Sequence, residues 1–270
     1  MAARGQRSDL VPRVLAAIPA MAFAIFIVVR GELFLVGGLI LLSVVALSEL
    51  YTAMRRVRPI DIAGFLGVIA LILAAHFGEP RHVVIVLACA FPVTFFFSFL
   101  RARMDHAAWA VAATLFGILW IGLPMAHTVF LRELPHGDGL LIDVLVGTFI
   151  GDTMAYFVGR RFGRTLLAPD ISPNKTVEGL IGGFLGATIA FWCAGLYQDW
   201  LSGIDALAIG ALVALMAPLG DLFESMIKRD LEVKDTGRFF GAHGGVLDRL
   251  DAVFFTVVVG YYASVSLGYG

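Results

Sequence analysis

Nine stretches of this chain are apolar for long enough to cross a lipid bilayer, and they leave little room for anything else. A membrane-spanning helix needs about 20 apolar residues, within a range of roughly 17–25. Segments near 12–29, 33–50, 60–77, 83–100, 107–131, 139–159, 177–197, 204–226 and 248–268 meet that requirement. Charge, proline and glycine gather in the breaks, as in MRRVRP, GEPRH, RARMDH, RELPHGDG and GRRFGRTLLAPDISPNK. No break holds a soluble domain, and no internal repeat is visible. The expected fold is therefore all-α, a polytopic membrane protein with about nine transmembrane helices. Composition agrees: 15% of the 270 residues are charged, against about a quarter in soluble domains.

Residues 1–13 carry Arg4, Arg7 and Arg13 before an apolar run, as a signal peptide would. With more spans following, that run reads as a retained first helix. A net charge of −1 offers no global basic field, so no nucleic acid partner is expected. Cys89 and Cys193 lie inside apolar runs, which predicts inert buried thiols and neither a disulfide nor a zinc site.

Orientation follows from the basic residues. If successive helices alternate in direction, 17 of the 20 Lys/Arg fall on one side, and only Arg30, Arg81 and Arg132 on the other. Positive charge is retained on the cytoplasmic side, so the N-terminus is expected in the cytoplasm and the C-terminus on the opposite face of the cytoplasmic (inner) membrane. Residues 1–135 then read as scaffold helices that offer oligomer contacts, a homodimer being one option. Residues 136–270 read as catalytic helices. The same counting puts Asp152, Lys175, Glu178, Asp221 and the connector after the eighth span at cytoplasmic helix ends, where they can share one site. Asp143 falls on the other face.

Three motifs crowd this second half. In GDTMAYFVGRRFGR (151–164), Asp152 and Tyr156 are four apart and share a helix face. An ionisable group in an apolar span costs about 2.5–3.5 kcal/mol on insertion scales, which favours a functional reading over a simple pairing with the following arginines. In DISPNKTVEGLIGGFLG (170–186), Ser172 followed by Pro173 predicts an N-cap and a first helical residue beside Lys175, with Glu178 one turn deeper. Such a helix start is a seat for anions, although a capped helix with a snorkelling lysine explains it equally well. Gly182 and Gly186 form a GxxxG that reads as helix packing. In APLGDLFESMIKRD (217–230), Asp221, Ser225 and Lys228 line one stripe, able to hold a cation and its phosphate together. The connector that follows holds Lys234, Asp235, His243, Gly244, Gly245, Asp248, Arg249 and Asp251. Nothing in the chain makes a Walker A loop, a Ser-His-Asp arrangement or a zinc cluster.

These residues resemble the integral-membrane phosphatidate cytidylyltransferases, also called CDP-diacylglycerol synthases. That family's C-terminal signature is matched here by Ser225, Lys228-Arg229, Lys234-Asp235, Gly237, Phe240, His243-Gly244-Gly245, Asp248-Arg249 and Asp251. GDTMAYFVGR and SPNKTVEG stand upstream in the expected order, whereas residues 1–140 share little beyond hydrophobicity. Departures are Gly241-Ala242 where Pro-Gly is common, Asn174 for a frequent lysine, and Gly151 for a small hydroxyl residue; the lost lysine leaves Lys175 alone to meet anions there.

The resemblance implies a reaction in which CTP and phosphatidic acid give CDP-diacylglycerol and pyrophosphate, with Mg²⁺ required, as one or two divalent ions with room for a monovalent cation. It also implies roles. Asp221 and Asp248 are first choices for the metal, with Asp152 and Asp251 as further candidates. Lys228, Lys234 and His243 join Asp221 and Asp248 as catalytic candidates. Lys175, Glu178, Ser225, Arg229, Asp235, Gly244, Gly245 and Arg249 are substrate-binding candidates. The membrane lipid supplies one substrate and the cytosol the other. The alternatives are a polytopic transporter, disfavoured because the acids cluster at one face, and a CDP-alcohol phosphotransferase, disfavoured because HGDGLL lacks that family's Asp-Gly-x-x-Ala-Arg motif.

Overall fold

A computed structural model describes residues 22–101, 106–237 and 244–270, and within them the chain is helical nearly throughout. Residues 22–30 form α1. There follow α2 (Glu32–Ala53), α3 (Asp61–Phe77), α4 (Pro80–Phe99), α5 (Ala107–Glu133), α6 (Gly137–Phe162), α7 (Val177–Gly195), α8 (Gly203–Asp230) and α9 (Leu247–Ser266). Six of these, α2 and α4 to α8, are long and apolar enough to cross a membrane. The apolar α3 is shorter, at 17 residues. α9 lies outside the six because Asp248, Arg249 and Asp251 lower the hydropathy of its first turns. Every apolar stretch with described residues coincides with a helix, so the all-α reading holds at that level. The proposed retained helix at 12–29 lies partly outside the described residues. Within α5, a π segment at Ile118–Gly122 precedes Pro124, whose missing N–H interrupts the hydrogen-bond ladder there.

The connectors sort into two ends. At one end Arg101 donates to the carbonyls of Arg58 and Pro59 (2.7 and 2.6 Å), Arg56 pairs with Glu232 (3.1 Å), and Arg229 Nε donates to the Ile171 carbonyl (3.2 Å). At the other, Arg132 Nε donates to the Val28 carbonyl, His76 meets Glu133, His136 stacks on Trp200, and the Tyr269 hydroxyl accepts from the Ser202 N–H. Successive helices therefore run up and down, and the connectors that follow α2, α4, α6 and α8 share one end.

The connector after α6 corrects two expectations. A short hairpin, β1 (Leu166–Ala168) paired antiparallel with β2 (Ser172–Thr176), interrupts the all-α pattern. Ser172 and Pro173 lie in β2 and do not start a helix; α7 begins at Val177, and its cap is Thr176, whose hydroxyl accepts from the Gly179 N–H at 3.1 Å. Pro173 fixes φ equally well for an extended strand, and the Thr side chain directly after Lys175 takes the capping role.

One hydrophobic core runs through both halves of the chain, from Ile27 in α1 through Leu47, Leu71, Ile121, Leu140 and Phe191 to Phe254 and Ala263 in α9. Outside it the surface is also apolar: Phe95, Phe99, Trp109, Ile181 and Ile204 are all exposed. In water such a surface would aggregate, whereas a bilayer solvates it. Cys89 and Cys193 belong to this outer face. They are free, as expected, but exposed and not buried. The GxxxG glycines do pack helices: a Cβ on Gly182 would strike Val158 and one on Gly186 would strike Met154, both on α6.

Candidate active site

Four elements bring charge to the end of the bundle that holds the connectors after α6 and α8. From β2, Lys175 extends its Nζ to 2.5 Å from Asp221 Oδ2 on α8. Asp152 on α6 lies within electrostatic reach of both, and its side chain is exposed. Ser225, one turn after Asp221, directs its hydroxyl at Asp221 Oδ1 at 3.4 Å. The stripe read from sequence is thus real at its first two positions, and it is the hairpin that carries Lys175 back onto it.

Lys228 continues the same helix but turns into a second, more buried cluster. Its Nζ lies 2.5 Å from Glu224 Oε2 and 3.0 Å from Asp248 Oδ1. Asp248, in the first turn of α9, also accepts from the backbone N–H groups of Thr236 (3.1 Å) and Gly245 (2.7 Å). One carboxylate thereby fixes a lysine and two points of the connector. Gly244 has φ +84°, and a Cβ there would crowd Asp248, so this turn requires glycine. Asp251, one turn into α9, stands between the clusters, within reach of Asp221, Asp152 and Lys228.

The remaining sequence candidates divide. Glu178 accepts from the backbone N–H groups of Arg164 and Thr165 at 3.1–3.2 Å, so its carboxylate closes the start of the hairpin. Expected result: Glu178→Ala speeds tryptic cleavage after Lys175, whereas Glu178→Gln, which keeps an acceptor, does not; equal rates in both variants would remove this role. Arg229, Lys234, Asp235 and Arg249 are exposed at the same end. His243 lies outside the described residues.

Two acids were missed. Glu224 is 1% exposed and Lys228 holds only one of its oxygens; Oε1 has no hydrogen-bond partner among the described residues. Its spacing of four from Lys228 was the available signal. Glu49, on α2, is 8% exposed and accepts from the Leu247 N–H at 3.0 Å. Its place in the apolar stretch 33–50 was the available signal, the same one that marks Asp152.

A hard cation would find carboxylates here but, among the described residues, no ready-made cage. Among the described residues no three His, Cys, Asp or Glu side chains converge closely enough to hold an ion by themselves. Asp248 has its oxygens engaged by Lys228 and two backbone N–H groups, so an ion would have to share them. Asp152 and Asp221 are accessible, and two carboxylates suit Mg²⁺, which completes its shell with water and phosphate oxygens. Lys175 Nζ against Asp221 marks a point where this fold already sets positive charge on a carboxylate. The arrangement can gather polyanions around carboxylate-held cations at the edge of an apolar bundle.

The model of the cytidylyltransferase family matches residues 11–267. A phosphatidate cytidylyltransferase of Thermotoga maritima is 33% identical over 267 residues, covering 94% of this chain and 95% of its own. One from Staphylococcus epidermidis is 32% identical over 252 residues, covering 91% and 95%, and one from Staphylococcus aureus is 31% identical with the same coverage.

Proposed function

Because the chain belongs to the cytidylyltransferase family, we propose that it joins CTP to phosphatidate, releasing pyrophosphate and leaving CDP-diacylglycerol in the membrane. A phosphate oxygen of the lipid attacks the α-phosphorus of CTP, and the bond from that phosphorus to the bridging oxygen of the β-phosphate breaks. The attacking group is already an anion, so no activated serine or cysteine is needed. What opposes reaction is repulsion between two anions and the charge that builds on the departing pyrophosphate.

The side chains answer both obstacles. Lys175, Lys228 and the exposed Arg229, Lys234 and Arg249 offer counter-charge for the phosphates of the two substrates. Asp152 and Asp221 would hold Mg²⁺, with Asp251 beside them. The ion supplies Lewis-acid polarisation of phosphate oxygens and neutralises charge on the leaving group. Asp248 acts on Lys228 and the connector, keeping the cation and the backbone around it in fixed register. The excess of Lys/Arg on the site's side supports a cytoplasmic active face, where CTP is available and the lipid headgroup lies at the interface.

The observation that carries this reading is the convergence of Asp152, Lys175, Asp221, Lys228, Asp248 and Asp251, from four separate elements, at one end of a membrane-type bundle. The test is direct. Purified protein in detergent, given labelled CTP and phosphatidic acid, is expected to form labelled CDP-lipid with Mg²⁺ and none after chelation. Folded protein that forms no CDP-lipid overturns the proposal.

A further inference from the structure

The connector between α8 and α9 carries the signature motif, yet one of the groups that fixes it comes from the opposite half of the chain. Glu49, near the end of α2, reaches the start of α9 and accepts from the Leu247 N–H at 3.0 Å. Its carboxylate also lies against the backbone at Gly237 and Gly245. A Cβ at either position would collide with Glu49 oxygens, Oε1 at Gly237 and Oε2 at Gly245. The two glycines at these places therefore leave room for an acid side chain.

Glu49 and Asp248 act on the same connector backbone. Asp248 takes the N–H groups of Thr236 and Gly245, and Glu49 takes that of Leu247. Together they hold the backbone at Thr236, Gly245 and Leu247, the last in the first turn of α9. Asp248 is also the residue that Lys228 grips at 3.0 Å. A shift of the connector thus moves Asp248, and Lys228 with it. Glu49 is almost fully buried in an apolar helix, where an ionisable group is costly and is kept for a specific interaction.

We infer that Glu49 is a positioning residue for nucleotidyl transfer: it clamps the connector so that Asp248 and Lys228 keep their geometry, without touching substrate itself. The inference rests on the activity proposed above. In structural terms it makes the N-terminal helices part of the catalytic apparatus.

The test uses the full-length protein in detergent and has two readouts. Wild-type formation of CDP-lipid is measured first; its absence would defeat the proposed activity and leave the clamp to the second readout. That readout is tryptic cleavage after Lys234, in the connector, which needs no substrate. Glu49→Ala is expected to raise the cleavage rate about tenfold, the size expected for losing a charge-assisted buried hydrogen bond. It should also lower kcat by at least tenfold while changing KM for CTP less than threefold. Glu49→Gln, which still offers an acceptor to Leu247, should restore most of kcat. Gly237→Ala supplies an independent check, since it should impair kcat in the wild-type background and much less once Glu49 is alanine. Wild-type cleavage and kcat in Glu49→Ala, or additive effects in the double variant, would overturn the inference. If Glu49→Ala fails to fold, Glu49→Gln and Gly237→Ala decide: normal kcat in Gly237→Ala overturns it, and a loss there with Glu49→Gln active sustains it.

Discussion

Asp221→Asn is expected to reduce Mg²⁺-dependent formation of CDP-lipid on the order of 10³-fold while the protein remains folded. Asparagine preserves the shape of the side chain and can still accept from Ser225, so packing of α8 is unchanged. What goes is one of the two accessible negative charges, and with it the place where Lys175 rests and a cation would bind. Losing a preorganised electrostatic partner for developing charge commonly costs ~10²–10³-fold, and weakened ion binding adds to that. Raising Mg²⁺ should recover part of the rate, because the damage is to affinity as well as to charge. Activity within a few-fold of wild type would remove Asp221 from the metal site. Unfolded protein, judged by a lost monodisperse peak in size-exclusion chromatography, would assign it to stability instead.

Lys228→Met should be the most damaging change to both rate and fold. Lys228 is the shared cation of Glu224 and Asp248, all three largely buried. Removing it leaves two carboxylates facing each other with no counter-charge, and breaking a buried ion pair from one side costs about 3–5 kcal/mol. Thermal stability should fall accordingly. Adding Glu224→Gln to Lys228→Met removes one of the stranded charges and should recover much of the stability, while turnover stays at background if, as proposed, Lys228 meets substrate phosphate. A double variant no more stable than Lys228→Met would show that the pair is not coupled as described. One that regains turnover would exclude Lys228 from catalysis.

Helix positions were legible because a bilayer demands a fixed apolar length, and that demand writes itself into every segment from α2 to α9. The end of the bundle where charge gathers was legible for a related reason: Lys228, Asp248 and Asp251 lie in or beside a single connector, and Asp152, Lys175 and Asp221 each stand near a break. The hairpin at 166–176 was not. Ser-Pro serves a helix start and an extended strand equally well, so only the return of Lys175 onto Asp221 reveals why the chain folds back there. Glu224 could have been found from its spacing to Lys228, had the stripe through Asp221 not drawn attention to the neighbouring face. What Glu49 holds could not. Leu247, whose N–H it accepts, is 198 positions away, and a single acid in an apolar segment carries no trace of the backbone it will meet.

Asp221 lies about 13 Å along the helix axis from the end of α8 at Asp230, taking about 1.5 Å per residue. At 28 residues, about 42 Å, α8 overhangs a hydrocarbon slab of about 30 Å, and an even overhang puts that carboxylate roughly 7–8 Å below the headgroup edge. Ser225, Asp221 and Lys175 then set polar side chains just inside that edge. A phospholipid bearing a phosphate would meet these side chains with its head while its tails stay among their neighbours. Substrate and product alike would remain dissolved in the leaflet throughout, and only the nucleotide and pyrophosphate would have to travel.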